Sequence, residues 1–252
     1  MYRHNRRTIN SPEEGYIPPF AIADNLYFVG THQASSHMID TGDGLILIDT
    51  GYANTAEMVL SSVRALGFDP ADIKYIVHTH HHGDHVDASP EIIRRTGAKT
   101  VISRIDDPIA REQHGISADV TVEDGDTLTL GDTTLRFVLT PGHTPGTISI
   151  FFDTTLEGKT YRVGTFGGAG VNTLVPESED FYPECRADFA RSIERLLEEK
   201  VDIFIGNHVW NNDTEEKGKR LLAGGKNEFV DPDEWKKFLL FRRAVLLSLA
   251  PL

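Results

Sequence analysis

The sequence predicts a mixed α/β fold, and three observations carry that reading. Short apolar runs bounded by glycine, asparagine and aspartate recur along the chain, and twice they give way to amphipathic helical patterns. With 252 residues and 39% hydrophobic side chains, the chain can bury a substantial core without disulfides or structural metal. No linker or short-period repeat divides it, so residues 21–252 are expected to form one domain behind an irregular arm, residues 1–20, punctuated by Pro12, Pro18 and Pro19.

Taken in order, Ala21–Ala23, Leu26–Val29, Ser36–Ile39 and Leu45–Ile48 read as successive strands, with Asn25, Gly30 and Thr41–Gly44 as turns. Asn54 and Glu57 have the spacing of a helix cap and its reciprocal acid; that helix reaches about Leu66, buries Met58, Leu60 and Val63, and stops at Gly67. Strand Ile73–Val77 leads into a histidine cluster. One helix is expected after it, with Val86, Ile92 and Ile93 inward, ending near Gly97. Thr100–Ile102 is another strand, and residues 104–118 read as a short helix and loop. Val120–Val122, Leu128–Leu130 and Leu135–Leu139 read as a three-strand meander. Strand Thr147–Phe152 and its hairpin partner Tyr161–Phe166 flank Leu156-Glu157-Gly158-Lys159. Residues 184–199 form an amphipathic helix with Phe189, Ile193, Leu196 and Leu197 on one face, and Ile203–Ile205 is a short buried strand. Asp231-Pro232-Asp233-Glu234 starts a C-terminal helix, residues 232–250, whose Trp235, Phe238, Leu239, Val245, Leu246 and Leu249 form a core stripe or a dimer contact.

Composition narrows the partners. Twenty-five Lys and Arg against 38 Asp and Glu give a net charge of −13, a field that repels nucleic acid and anionic membranes. The single cysteine, Cys185, allows no internal disulfide. The basic start Met1–Arg7 has no apolar signal-peptide core behind it, and no run reaches membrane-spanning length, so a cytoplasmic protein acting on a small molecule, as monomer or homodimer, is expected.

Chemistry concentrates at Thr79-His80-His81-His82-Gly83-Asp84-His85. Imidazole is the commonest zinc ligand near neutral pH, and carboxylate oxygens are its hard partners. In extended chain His80 and His82 share a face and can close on one ion. A turn into helix after Gly83 swings Asp84 and His85 aside, where they can serve a second ion. A solvated polyhistidine-like loop is the plainer alternative, but it ignores a register placed where a buried strand hands over to a helix. Further along, Thr140-Pro141-Gly142-His143-Thr144-Pro145-Gly146 uses two prolines and two glycines to fix a tight loop presenting one imidazole. His208 follows the short strand near residue 205.

Thr79-His80-x-His82-x-Asp84-His85 resembles the His-x-His-x-Asp-His signature of the metallo-β-lactamase superfamily, and the His143 loop resembles that family's Gly-His-Thr-x-Gly motif. The resemblance implies an αββα sandwich, two mixed sheets face to face with helices outside, over about residues 21–210. It also implies two zinc ions: His80, His82 and His143 on one, and Asp84, His85 and His208 on the other. Asp49, closing its strand before Thr50-Gly51, matches the family carboxylate that acts from behind the ligands, accepting hydrogen bonds that orient their loop. One departure is plain. Many members carry a metal-bridging Asp on the strand after the Gly-His-Thr motif, whereas no acid occurs here between Glu157 and Glu177. A weaker second zinc site follows, and the ligand set resembles that of the third subclass of metallo-β-lactamases. Cys185 is then a bystander, and His78 and His81 are supporting or rim residues.

Such a site implies a zinc-dependent hydrolase attacking an activated carbonyl, with Asp84 orienting the nucleophile and shuttling its proton. A β-lactam or related cyclic amide is favoured. A lactonase, esterase or thioesterase of the same family is the alternative, and a non-catalytic metal-binding or regulatory protein is a reading of another kind. The glycine-rich stretch 164–172 is expected to leave room for a bulky substrate or to form a mobile wall.

Overall fold

A computed structural model describes residues 15–251; most of the expected N-terminal arm lies outside the described residues. Of the arm's remainder, Ile17 is buried in the main core and Tyr16 bridges to Thr31.

Two sheets form the centre. The first runs β1-β2-β3-β4-β5-β6-β7, built from Phe20–Ala23, Leu26–Phe28, His37–Asp40, Leu45–Ile48, Ile73–Val77, Lys99–Ser103 and Val120–Val122. β1 to β4 pair antiparallel, and β4 to β7 run parallel. The second runs β12-β11-β10-β9-β8, from Ile203–Phe204, Lys159–Thr165, Ile148–Leu156, Thr133–Leu139 and Thr127–Leu130, antiparallel except for the β11–β12 pair.

Strand periodicity explains the layering. Along β4, Ile46 and Ile48 point between the sheets, where they meet Phe28, Phe137, Ile150 and Phe152. Leu45 and Leu47 point the other way, in a layer with Leu60 and Val63 of helix α1 (Ala56–Ala65) and Ile92 of α3 (Ser89–Thr96), which follows the short α2 (Gly83–Val86). After α4 (Asp107–His114), helices α5 (Cys185–Leu197) and α7 (Glu234–Leu247) cover the far face of the second sheet through Phe151, Phe189, Ile193, Trp235 and Leu239. The Trp235 indole N–H donates to the Leu196 carbonyl at 3.0 Å, pinning α7 to α5. The result is the expected αββα sandwich.

Several local expectations are corrected. Val120–Val122 does not begin a meander: it is the parallel edge strand of the first sheet, while β8 and β9 open the second. Apolar alternation is the same on either side of a sheet change, so pattern alone missed it. Asn54 does not cap α1, because a 3₁₀ turn at Ala53–Thr55 precedes that helix; Glu57 instead pairs with Arg64 and Arg95. The single helix expected after the cluster is broken at Asp87–Ala88, where the Ala88 N–H donates to the Gly51 carbonyl. Helix α7 begins at Glu234, past Pro232, and ends at Leu247. Helix α6, Thr214–Leu222, was not anticipated; its start, Asp213, adopts a left-handed conformation (φ 55°) that no cap motif advertises.

Candidate metal centre

The parallel pair β4–β5 puts two carboxyl-terminal strand ends side by side, the edge of an open α/β sheet where binding groups collect. β4 delivers Asp49 there, and β5 delivers His80 to His85. The β9–β10 loop brings His143 from the second sheet, and the segment after β12 brings His208, which bridges to Ala34. All seven side chains singled out from the sequence converge.

Two groups of potential ligands result, each with its donor atoms within 4.8 Å of one another: His80 with His82 and His143, and Asp84 with His85 and His208. The His80 and His85 rings, one from each group, lie 4.3 Å apart between centroids. Asp84 Oδ2 is 3.6 Å from Nε2 of both His85 and His208.

Hydrogen bonds decide which nitrogen each ring offers. Asp49, held at φ 55° and 1% exposed, accepts from Nδ1–H of His85, from the Thr79 hydroxyl and from the Thr79 N–H, each at 2.8 Å. Because the Thr79 hydroxyl proton goes to Asp49, its oxygen is left to accept from Nδ1–H of His80 at 3.0 Å. The Gly170 carbonyl takes Nδ1–H of His143 at 3.1 Å, and the Gln33 carbonyl takes that of His208 at 3.3 Å. His82 is turned the other way, with Nε2–H donated to Asp180 at 3.1 Å.

Five lone pairs are therefore aimed inward. Nδ1 of His82 faces Nε2 of His143 at 3.0 Å with no proton left for the contact, and the buried Nε2 atoms of His80 and His85 have no hydrogen-bond partner. Facing lone pairs at that distance repel unless a cation lies between them. Borderline-soft Zn²⁺ suits this nitrogen-rich donor set with one carboxylate.

The charge balance agrees. Burial holds the His80 and His143 imidazoles well below the usual histidine range, and that of His208 at about 4. His85 is the exception: burial pulls it down as well, but Asp84 and Asp49 more than reverse it, to about 8, so an ion there would bind by displacing the Nε2 proton. For Asp84, burial pushes the carboxyl up, and the surrounding imidazoles, led by His85 and His208, bring it down to about 2.

Three features were not legible in the sequence. Asp180, distant in the chain, lies against His82 and His81, and these three form a further cluster with potential ligand atoms. Asp106, fully buried at the start of α4, accepts from the His81 N–H at 3.1 Å and from the Thr144 hydroxyl at 2.8 Å, tying the two motif loops together. The Trp210 indole stacks on the His208 ring at 4.4 Å and 9°. Expectations for two histidines change accordingly. His78 and His81 are buried, so neither stands at a rim. Cys185 is buried in the second-sheet helix layer and belongs to neither ligand group.

The expectation for the glycine-rich stretch divides: Gly167 and Gly168 are tightly packed, whereas Ala169, Gly170, Val171 and Asn172 line a cavity. A Cβ on Gly167 would sit 2.0 Å from the Ile148 carbonyl oxygen, and one on Gly168 would sit 2.8 Å from His143 Cβ. These glycines let backbone close against the His143 loop. Beyond them opens a cavity of about 610 Å³ with His82, Asp84, His143 and His208 in its wall.

The fold is thus an αββα sandwich carrying a double histidine–aspartate cluster, a donor set suited to metal, at one sheet edge. The profile of the metallo-beta-lactamase superfamily matches residues 29–208, and the chain belongs to that superfamily. Among solved structures, the native FEZ-1 metallo-beta-lactamase from Legionella gormanii is 31% identical with a TM-score of 0.86, over 93% of this chain and 96% of that one. BJP-1, a subclass B3 metallo-beta-lactamase of Bradyrhizobium japonicum, is 28% identical with a TM-score of 0.87, over 96% of both chains. Curated relatives match more locally. A probable metallo-hydrolase of Burkholderia pseudomallei is 33% identical over 103 residues, 36% of this chain and 34% of that protein. A hydroxyacylglutathione hydrolase of Rhodospirillum rubrum is 36% identical over 98 residues, 38% of this chain and 35% of that protein. The chain thus spans about a third of the length of these two curated relatives. No helix among the described residues is long and apolar enough to cross a membrane.

Proposed function

We propose that this superfamily hydrolase uses two zinc ions to open an activated carbonyl of a small molecule, with a β-lactam or related cyclic amide as the favoured substrate. His80, His82 and His143 would hold one ion, and Asp84, His85 and His208 the other. The observation that carries the reading is this ligand arrangement, with no acid between Glu157 and Glu177 to bridge the ions and no cysteine in either group. Near full-length similarity to FEZ-1 and BJP-1 supports it.

Bound zinc would lower the pKa of water toward about 7 and act as a Lewis acid toward the carbonyl. The chain's own residues supply the rest. Asp84, about a quarter exposed to the cavity, stands where it can hold the proton of the attacking water and pass it to the departing nitrogen. Asp49 fixes the His85 tautomer directly and that of His80 through the Thr79 hydroxyl. Asp180 does the same for His82.

Thioester hydrolysis is the second reading, favoured by the local similarity to hydroxyacylglutathione hydrolases. The two separate in one assay: zinc-loaded protein with a chromogenic cephalosporin, a lactone panel, an S-acylglutathione and a phosphodiester. Cephalosporin turnover abolished by chelator is the expected result. Turnover of the thioester alone would replace the lead reading with the second, and turnover of the phosphodiester alone would remove both.

A further inference from the structure

Arg242, on α7, lines the metal-centre cavity together with Asp84, His143 and His208. It also lines a neighbouring cavity of about 270 Å³, and Trp210, Asn211 and Phe241 belong to both walls. Two other cations of the helix are paired: Lys237 with Asp231 and Asp233, and Arg243 with Glu194 at 2.9 Å. Arg242 has no ion pair among the described residues, and its buried Nε has no hydrogen-bond partner. Its guanidinium carbon lies 5.8 Å from the Phe241 ring centre. Burial draws its pKa down only to about 10, so it remains a cation at neutral pH.

Leaving a recessed guanidinium without a carboxylate is costly, and it is unusual in a chain of net charge −13. A ligand that brings the missing acceptor removes that cost. The paired Nη–H groups of the planar guanidinium match the two oxygens of a carboxylate. A dianionic phosphate fits worse, because Asp231 and Glu234 face the adjoining cavity. In the same cavity wall, Trp210 and Val245 offer apolar surface for the body of a ligand.

We infer that Arg242 is the substrate-recognition residue of this site, binding a carboxylate on the small carbonyl substrate while Trp210 and Phe241 flank its apolar portion. The inference rests on the proposed hydrolase reading and names the class of substrate that reading leaves open. No bond is made or broken at Arg242, so its contribution falls on binding.

The test compares zinc-loaded full-length protein with its Arg242→Gln and Arg242→Lys variants, using a chromogenic cephalosporin and its methyl ester. The ratio of kcat/KM for acid over ester is expected to fall about tenfold or more in Arg242→Gln, mainly through KM for the acid, with partial recovery in Arg242→Lys. Equal losses for acid and ester would mark a structural role and overturn the inference, as would no loss. If the wild-type protein turns over neither compound, binding of 3-phenylpropionate against 3-phenylpropionamide, followed by tryptophan fluorescence, decides independently. Carboxylate binding weakened in Arg242→Gln keeps the inference while the β-lactam reading falls. Equal affinity in wild type and variant shows that the carboxylate goes to the metal or elsewhere, and overturns the inference.

Discussion

The Asp49 carboxylate lies 2.8 Å from Nδ1 of His85, although 36 residues separate them in sequence. Asp49 holds that position in a left-handed backbone conformation, which Asp tolerates better than most residues. The oxygen that meets His85 also accepts from the Thr79 hydroxyl, so an amide in its place would present N–H to a donor on one side or the other. Asp49→Asn should therefore keep the backbone but disturb the tautomers of His80 and His85 together. Zinc affinity or activity is expected to fall about 10–100-fold, with the melting temperature little changed. Wild-type zinc affinity in the variant, read by competition with a chromogenic chelator, would remove Asp49 from the orienting role.

Asp180→Asn tests the reversed ring of His82. The carboxylate is about a third exposed, so its hold on Nε2–H is screened more than that of Asp49. A loss of zinc affinity smaller than that of Asp49→Asn is expected. A larger loss would show that Asp180 itself serves as a ligand in the His81–His82–Asp180 cluster.

Gly168→Ala addresses the close packing behind His143. The added methyl would lie 2.8 Å from both His143 Cβ and Thr147 Oγ1, closer than carbon contacts allow, so the His143 loop must move. Destabilisation of about 1–3 kcal/mol is expected together with impaired zinc binding. A fully metallated variant with wild-type stability would show that the loop yields without cost.

How much of this was legible in the sequence depends on range. The ligand histidines stood out because His80 to His85 are crowded into one short segment and His143 sits in a loop fixed by Pro141 and Gly142. Strand β4 was legible because its Leu and Ile residues run as one apolar block. The groups that orient the ligands were not, apart from Asp49: Asp180 and Asp106 are ordinary acids in polar stretches, and only folding brings them to His82 and His81. The edge position of β7 was equally hidden, since a strand's own pattern does not name its neighbour. The tight packing of Gly167 and Gly168 depends on the Ile148 carbonyl and the His143 ring, which no local signal locates.

Stacking of Trp210 on His208 gives the second metal group its own optical probe. The chain has two tryptophans, and the other, Trp235, is buried between α5 and the second sheet. Titrating chelator-treated protein with zinc should change Trp210 emission chiefly on binding of the second equivalent, because the Asp84–His85–His208 group has no bridging carboxylate to strengthen it. His208→Ala should abolish that phase and leave the first equivalent bound. A single phase unaffected by the substitution would contradict two distinguishable sites.

Acid should destabilise the zinc-free protein through His37 and His78, both fully enclosed. Burial lowers each to about 4, against 6.5 for an exposed histidine. Between those values the unfolded chain takes up protons that the folded chain refuses. Stability is therefore lost as pH falls from 6.5 toward 4, by up to about 1.4 kcal/mol per pH unit for each ring. His37 is the cleaner target, because it lies in β3 with its Nε2 unpartnered and its ring edge-on to Phe28, and it belongs to neither ligand group. Replacing it with leucine should remove one proton from the slope of unfolding free energy against pH in that window. The check is a series of urea unfolding curves with chelator present, from pH 7.5 down to 5. A slope identical to that of the unsubstituted chain would mean that His37 does not stay neutral in the fold.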